Sequence, residues 1–464
     1  MIRGAARIAL IVAPFAFSAC AEGDGPNEAG VDAHADVTRV DAIAVDAPMN
    51  DATIDDVATD MPTYAGTYAP VDRHDVTPVL SARELSITFD PVTRRFVTAY
   101  GWVTGGLFHI EARSIAVDAT SFTAGGPLLV DDTTATHNAA TPSVAPWADA
   151  SGTAKLLVVY SDDRLGAGNG HLDIYGQFVV SDGSDPATLH NAGAVFDISQ
   201  VDPGNEFLPA VASLPSAGFC VLWADDRERA TRDPDGRVLF ARHIGSDGTV
   251  GPEIRVGDDV LFQTYPQIVP APDAAMYLAA WSDYVTVSGR IVPQYRARRL
   301  GPDCTPIGDP VVVAQSGTPS DLPAMAYDSR RGRWLLAWGG EGPPNVRQIH
   351  TAFVDRAGVV TPIGMPTMQS DGAIAPQLAY ARASDSYLLA YHSQDITQGY
   401  AVELDPDGHE IGTVYGLTAA APSLGTYWNP VAADTHAPHF LVVETLDYNR
   451  VGGSLFVSSS APEL

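Results

Sequence analysis

Leu156-Leu157-Val158-Val159-Tyr160-Ser161-Asp162-Asp163-Arg164 and Val221-Leu222-Trp223-Ala224-Asp225-Asp226-Arg227 carry the pattern that decides the fold. Each is an apolar run that ends in a large aromatic ring and is followed by two acids and an arginine. A strand with one wet face alternates apolar and polar residues. A run that is apolar at successive positions is covered on both faces. Such strands occur where sheets stand face to face between neighbours.

Working outward, the same run recurs seven times: Phe96–Tyr100, Leu156–Tyr160, Phe219–Trp223, Tyr277–Trp281, Trp334–Trp338, Tyr387–Tyr391 and Phe440–Glu444. Successive ends lie 60, 63, 58, 57, 53 and 53 residues apart. A proline stands 14 to 18 residues before six of the ends: Pro142, Pro209, Pro266, Pro323, Pro376 and Pro430, with Leu85 in that place in the first copy. Each proline opens a short apolar strand. A third strand follows the aromatic one, at Asp173–Val180, Val238–Ile244, Tyr295–Leu300, Ile349–Val354 and Gly399–Leu404. It usually ends in an Asp/Gly turn such as Ser246-Asp247-Gly248 or Asp405-Pro406-Asp407-Gly408, where those residues supply hairpin backbone angles. A fourth strand follows, as at Ile254–Val256 and Val311–Ala314. Four strands in a unit of fifty-odd residues match one blade of a β-propeller.

The expected architecture is therefore all-β, a seven-bladed propeller of four-stranded blades. The blades fall near residues 81–130, 140–200, 207–256, 264–314, 321–370, 374–418 and 428–460. The last unit lacks a fourth strand, and residues 75–80 precede the first unit without a blade of their own. That segment is expected to pair onto the last blade and close the ring, removing two exposed edges. The aromatic ends should fill the wedges between blades, each burying about 2–3 kcal/mol of apolar surface.

The two best copies, with the strand Leu172-Asp173-Ile174-Tyr175-Gly176-Gln177-Phe178-Val179, resemble repeats of myxobacterial-type envelope lipoproteins. Those repeats read as an apolar strand, Trp-x-Asp-x-Arg, then an Asp-Ile-Tyr-Gly strand. The resemblance spans residues 75–460, and Trp281-Ser282-Asp283 keeps part of the motif while Trp338-Gly339-Gly340 departs from it. It implies a propeller and an envelope location, and no activity.

The first twenty residues read as an export signal. Arg3 and Arg7 precede the apolar run Ile8–Phe17, and Ser18-Ala19-Cys20 follows. Basic start, short apolar stretch and small residues before a cleavage point define such a signal, and ten apolar residues are too few to span a bilayer. Cys20 resembles the acylated cysteine of a lipobox, with Phe17 in place of the usual Leu; a plain secretory signal is the alternative. Residues 21–62 carry eleven acids against Arg39 and no aromatic residue. They read as a disordered acidic linker, holding the propeller of residues 63–464 off the membrane.

The 464 residues are 45% hydrophobic and 18% charged, with 42 Gly and 35 Pro, a composition of many short strands and turns. The net charge is −29, and the propeller portion keeps about −21 of it. That charge repels phosphate backbones and anionic headgroups, so nucleic acid is excluded as a partner class and the membrane is reached only through the lipid. The sole lysine, Lys155, leaves nearly all basic charge to arginine.

The loops after the aromatic strands and before the prolines should share one face. That face collects Asp162, Asp163, Arg164, Asp225, Asp226, Arg227, Asp283, Tyr284, Glu341, Asp395, Asp447 and Tyr448, with Glu206, Phe207, Tyr265, Asp321, Tyr427 and Trp428 from the other loops. Acids, arginines and aromatics around a funnel could hold a glycan or a protein. A carboxylate pair could also serve hydrolysis if one pKa were raised. Propeller sialidases carry Ser-x-Asp-x-Gly-x-Thr-Trp boxes, which the sequence lacks. The same Asp-Asp-Arg could instead cap its turn and form an inter-blade ion pair.

Calcium is considered at Asp405-Pro406-Asp407-Gly408, Asp233-Pro234-Asp235-Gly236 and the Asp162–Asp173 loop, none of which has EF-hand spacing; no cofactor is expected. His436-Ala437-Pro438-His439 is a bare pair, and His109, His243, His350 and His392 fall at strand ends and read as satisfied surface or rim residues. No His-Glu-x-x-His, Gly-x-Ser-x-Gly or phosphate loop occurs. Cys220 lies within a strand and Cys304 in the turn of the next blade, so both are expected as unpaired thiols. The function expected is a monomeric, non-catalytic, lipid-anchored propeller of the outer membrane or cell surface that binds a protein or glycan; the alternative is a secreted glycoside hydrolase or lyase.

Overall fold

A hairpin is the unit from which the chain is built. In the third-to-outer turns Gly248, Gly358 and Gly408 hold φ of 90°, 88° and 85°, backbone that L side chains rarely adopt. In the last two an aspartate at the head of the turn caps it: Asp355 Oδ1 accepts the Ala357 and Val359 N–H groups at 2.8 Å, and Asp405 Oδ1 those of Asp407 and His409 at 2.9 Å; in the first, Gly245 stands at the head and Asp247 Oδ1 accepts the Thr249 N–H at 2.9 Å. The inner-to-second turns repeat the device with Asp90, Asp149, Asp328 and Asp434. Much of the acidic charge is thus turn chemistry.

The structure is a computed structural model. It describes residues 70–77 and 82–457 except 105–106, 120, 132–136, 150–151, 166–170, 183–187, 201–203, 229–235, 259–261, 288–289, 316–322, 343–345, 367–368, 370–371, 396, 418–428 and 448–449. The expected export signal with Cys20, the expected acidic linker and Asp233-Pro234-Asp235 therefore lie outside the described residues. Residues 65–464 form one compact unit.

The described residues form seven antiparallel sheets, a seven-bladed propeller. The inner strands are Ala82–Asp90, Ala139–Ala148, Glu206–Leu214, Phe262–Ala271, Ala324–Asp328, Ala373–Ala381 and Val431–Ala433. The apolar aromatic runs are the second strands, as expected. In blades 1 and 2 the outer position is shared by two short strands, Phe122–Ala124 with Leu128–Leu129 and Leu189–Asn191 with Phe196–Asp197. The one helical piece among the described residues is a 3-10 turn at Pro272–Ala274.

Pro70–Thr77 is the outer strand of blade 7, antiparallel to Arg450–Val457, and closes the ring. It begins earlier than the expected 75–80, and residues 78–80 lie outside the described residues. Blade 7 also refines the repeat: Val431 opposes Val442, as Ser143 opposes Val159 and Gln377 opposes Ala390, so Val443 and not Glu444 holds the aromatic position.

The core is seven seams. In blade 2, Leu156, Val158 and Tyr160 pack on blade 1, whereas Leu157 and Val159 pack on blade 3. Trp223 joins blades 2 and 3, Trp281 blades 3 and 4, Trp338 blades 4 and 5, and Tyr391 blades 5 and 6. Tyr100 packs against blade 7. A strand apolar on both sides is required because each blade is wedged between two others.

One expectation is corrected. Cys220 and Cys304 are joined by a disulfide, with Cα atoms 5.7 Å apart. Cys220 stands near the start of its strand on the side that faces blade 4, and both residues are buried in the seam between blades 3 and 4. The Gly301–Thr305 turn of blade 4 folds over that end of the seam, with Cys304 at φ 67°. Separate blades are distant in sequence and stacked in space.

Candidate functional site

The end of each sheet where the inner strand begins and the second strand stops is the face on which the sequence puts its acids. Ala139 opposes Asp162, Glu206 opposes Asp225, and Gln263 opposes Asp283. The topology therefore gives these residues a common end of the blades, and their side chains are spent within and between the blades.

Asp162 is fully buried and holds its own turn, accepting the Arg164 N–H at 2.7 Å and Arg164 Nη2 at 2.6 Å. His137 Nε2 lies 3.3 Å away. Asp163 accepts the backbone N–H and Nδ2 of Asn138 at 2.6 and 3.0 Å, while Asn138 Oδ1 accepts the Phe108 N–H of blade 1 at 3.2 Å. Blade 3 repeats the arrangement: Arg227 N–H and Nε donate to buried Asp225 at 2.7 and 2.8 Å, and Asp226 accepts the Asn205 N–H at 2.6 Å. Asn205 Oδ1 takes the Leu172 N–H of blade 2 at 3.1 Å. The guanidinium groups of Arg164 and Arg227 lie 4.2 Å over the Tyr175 and Phe240 rings. Arg227 also grips Glu253 with two bonds of 2.7 and 3.0 Å. Asp-Asp-Arg is therefore a three-part clamp: turn cap, tie to the preceding blade, and cover for an aromatic ring.

Blade 4 reaches the same end differently. Asp283 is buried and accepts Arg296 Nη1 from the third strand at 3.1 Å, and Arg296 reaches Asp258 at 2.8 Å. Burial pushes the Asp283 carboxyl up, against the pull of Arg296. Tyr284 is half-buried, edge-on to Phe262 at 5.6 Å. Glu341 is exposed, as is Asp395, whose Oδ1 accepts the Ser393 and Thr397 hydroxyls at 2.7 Å. Those bonds hold the Asp395 carboxyl below its usual range. Asp447 is described only in its backbone, paired with Arg450, and Asp321, Tyr427, Trp428 and Tyr448 lie outside the described residues.

Glu206 is the most perturbed acid of the face. Fully buried, it accepts the Ile174 N–H of blade 2 at 3.2 Å. Burial pushes it up to about 9; Asp225 and Asp173 add to this, against Ser199 and Arg227. Gln263 does the same work between blades 3 and 4, accepting the Leu239 N–H at 3.1 Å. Phe207 lies half-buried 4.3 Å beneath the Arg237 guanidinium, and Tyr265 is half-buried.

Two histidines read as surface residues are buried instead. His109 bonds Asp131 at 2.9 Å, beside a network in which Tyr100 donates to Glu111 at 2.6 Å and Arg113 to Tyr100 at 2.9 Å. His392 is 2% exposed, and burial takes its pKa down to about 4. His243 and His350 remain partly exposed. Sequence reasoning missed Asn138 and Asn205, although each stands four residues before the inner-strand proline in both complete copies of the motif.

The prolines have a structural meaning of their own. Thr141, Leu208, Tyr265 and Ala375 precede Pro142, Pro209, Pro266 and Pro376 with φ of 52–54°, and the register slips at each of these points. A bulge places proline where no ladder N–H is needed, and four non-glycine residues hold left-handed backbone to make it.

Next to these bulges is a cavity of about 210 Å³ on the propeller axis, lined by the inner strands of all seven blades. Around it the residues at equivalent positions are Ser86, Ser143, Ala210, Gln267, Ala324, Gln377 and Val431. Among the described residues, none that lines it is ionisable. Ser86 Oγ accepts the Val144 N–H and Ser143 Oγ the Val211 N–H, each at 3.2 Å, and Gln377 Nε2 has no partner. Among the described residues no three His, Cys, Asp or Glu side chains group as metal ligands, and the Asp405 turn is held by its own N–H groups.

No family model matches the chain, and no curated protein is detectably similar to it. Solved structures resemble the chain at low identity. A protein of unknown function from Dyadobacter fermentans is 13% identical, over 69% of this chain and 95% of that one, with a TM-score of 0.45. A PL25 polysaccharide lyase, an ulvan lyase bound to -[GlcA(1-4)Rha3S]-, is 10% identical over 83% and 97%, at 0.47. An endo-arabinase from Bacteroides thetaiotaomicron is 13% identical over 64% and 99%, at 0.36. These likenesses carry no function over to this chain.

Proposed function

We propose that this propeller is exported, lipid-anchored through Cys20 to the cell envelope, and acts by binding a protein or glycan partner on its loop-rich face without catalysis. The observation that carries the reading is the fate of the motif carboxylates. Asp162, Asp225 and Asp283 are buried against arginines, and Asp163 and Asp226 hold the asparagines that tie neighbouring blades together. Acids that hold the scaffold are not free to shuttle protons to a substrate. The Cys220–Cys304 disulfide supports export, because such bonds persist in oxidising compartments. The acidic surface supports partners without phosphate backbones.

The test is a screen of the purified protein against neutral and acidic polysaccharides, read for both retention and product release, beside cross-linking to envelope proteins. The expected result is a retained partner with no product. Turnover that disappears in Glu341→Gln or Asp395→Asn, the exposed acids of the face, would instead establish a hydrolase or lyase. Anchoring is tested separately: Cys20→Ser should abolish incorporation of a labelled fatty acid and release the protein from the membrane fraction.

A further inference from the structure

We propose that the axial cavity takes one uncharged, polyhydroxylated unit, a neutral sugar residue, and that the glycan partner is gripped there. This rests on the binding reading above and names the ligand class. The case starts from the walls. Ser86 and Ser143 already use a lone pair each on the next blade's inner strand, Val144 and Val211, which leaves their hydroxyl protons to donate into the cavity. On blades 4 and 6, Gln267 and Gln377 bring carboxamide side chains to the lining. Carboxamides donate and accept, and they face a ligand whose hydroxyls do the same.

Between these polar groups the wall is apolar: Ala210, Ala324, Val431, Leu208, Met325 and the proline rings. A sugar ring presents both kinds of surface, C–H faces and a rim of hydroxyls. An apolar occupant would strip water from the Ser86 and Ser143 hydroxyl protons without replacing it, and a desolvated donor without a partner is costly. A charged occupant would meet no counter-charge among the described residues of the lining, none of which is ionisable, and an unpaired charge taken out of water is more costly still. The volume, about 210 Å³, has room for several waters or one sugar ring, and displacing waters the ring can replace bond for bond loses little.

Blade equivalence supplies the test. Ala210 and Ala324 stand at the ring position that Gln267 and Gln377 occupy in blades 4 and 6, so the double variant Ala210→Gln/Ala324→Gln fills the axis with a side chain the fold already accommodates there. The purified protein is titrated calorimetrically with free glucose, galactose, mannose and rhamnose, and with glucuronic acid and glucosamine as charged counterparts. The expected result is binding of at least one neutral sugar, insensitive to salt and to pH between 6 and 8, as an uncharged wall requires. The filled variant should keep its melting temperature and lose at least about tenfold in affinity, and Gln377→Leu should weaken binding in the same direction. Unchanged affinity in the filled variant, preference for a charged sugar, or no heat with any neutral sugar overturns the proposal. If partner retention in the polysaccharide and cross-linking screen persists in the filled variant, the binding function stands and the axis is not its site.

Discussion

Replacing both bridged cysteines, Cys220→Ala with Cys304→Ala, tests the way the blades are stacked. The bridge closes a segment of 84 residues between blades 3 and 4. For a loop of that length the chain-entropy relation removes about 15 cal/mol/K from the unfolded ensemble, or about 4.6 kcal/mol at 25 °C. Alanine keeps each Cβ in the seam, so the further packing loss is limited to two sulfur atoms. Residues 65–464 form one unit. At about 2.1 cal/mol/K of unfolding entropy per residue, the entropy term alone lowers the melting temperature by about 5 °C. The assay is thermal and denaturant unfolding of the wild type and double variant, each with and without reductant. Thiol counting in denaturant accompanies it: the non-reduced wild type should show neither Cys220 nor Cys304 as free thiol. The reductant should lower the wild type toward the double variant and leave the variant unmoved. Two reactive thiols at those positions in the non-reduced chain, or identical midpoints for wild type and variant, would refute the stacking that brings Cys220 onto the Gly301–Thr305 turn.

Four further outcomes follow from the seams. Glu206 keeps a proton in the folded state up to about pH 9 that the unfolded chain releases near 4.5, so its contribution is complete below pH 4.5 and is lost as pH rises toward 9. Glu206→Gln, which copies Gln263, should raise stability at neutral pH and flatten that alkaline decline in denaturant midpoints. His392 stays neutral when folded down to about pH 4 but charges near 6.5 when unfolded, so acidification through that window should cost up to about 3 kcal/mol, and His392→Leu should remove the slope. Asn205→Ala strips the acceptor from the Leu172 N–H and the Nδ2 donor from Asp226, which keeps the residue 205 backbone N–H, and should cost about 1–3 kcal/mol by equilibrium denaturation. Trp223→Ala opens the seam between blades 2 and 3 and should cost about 3–5 kcal/mol in the same measurement.

The sequence by itself determined the number of blades, their strand order and the closure of the ring. Those depend on local patterning: a run apolar on both faces, as at Leu156–Tyr160, states that a strand is covered twice, and a proline at a fixed distance states where the inner strand begins. It also placed Asp162, Asp225 and Asp283 at one end of the blades, because strand direction fixes which loops share a face. What those side chains touch was decided only by tertiary structure. Asn138, held by Asp163, reaching Phe108, and Glu206 capping Ile174, are contacts across a seam between residues 30 and 32 positions apart. The disulfide follows the same logic at a separation of 84. Patterns along a strand report whether a face is covered and are silent about which atoms cover it. The axial cavity exists only because seven inner strands meet, a property that no single blade's sequence contains.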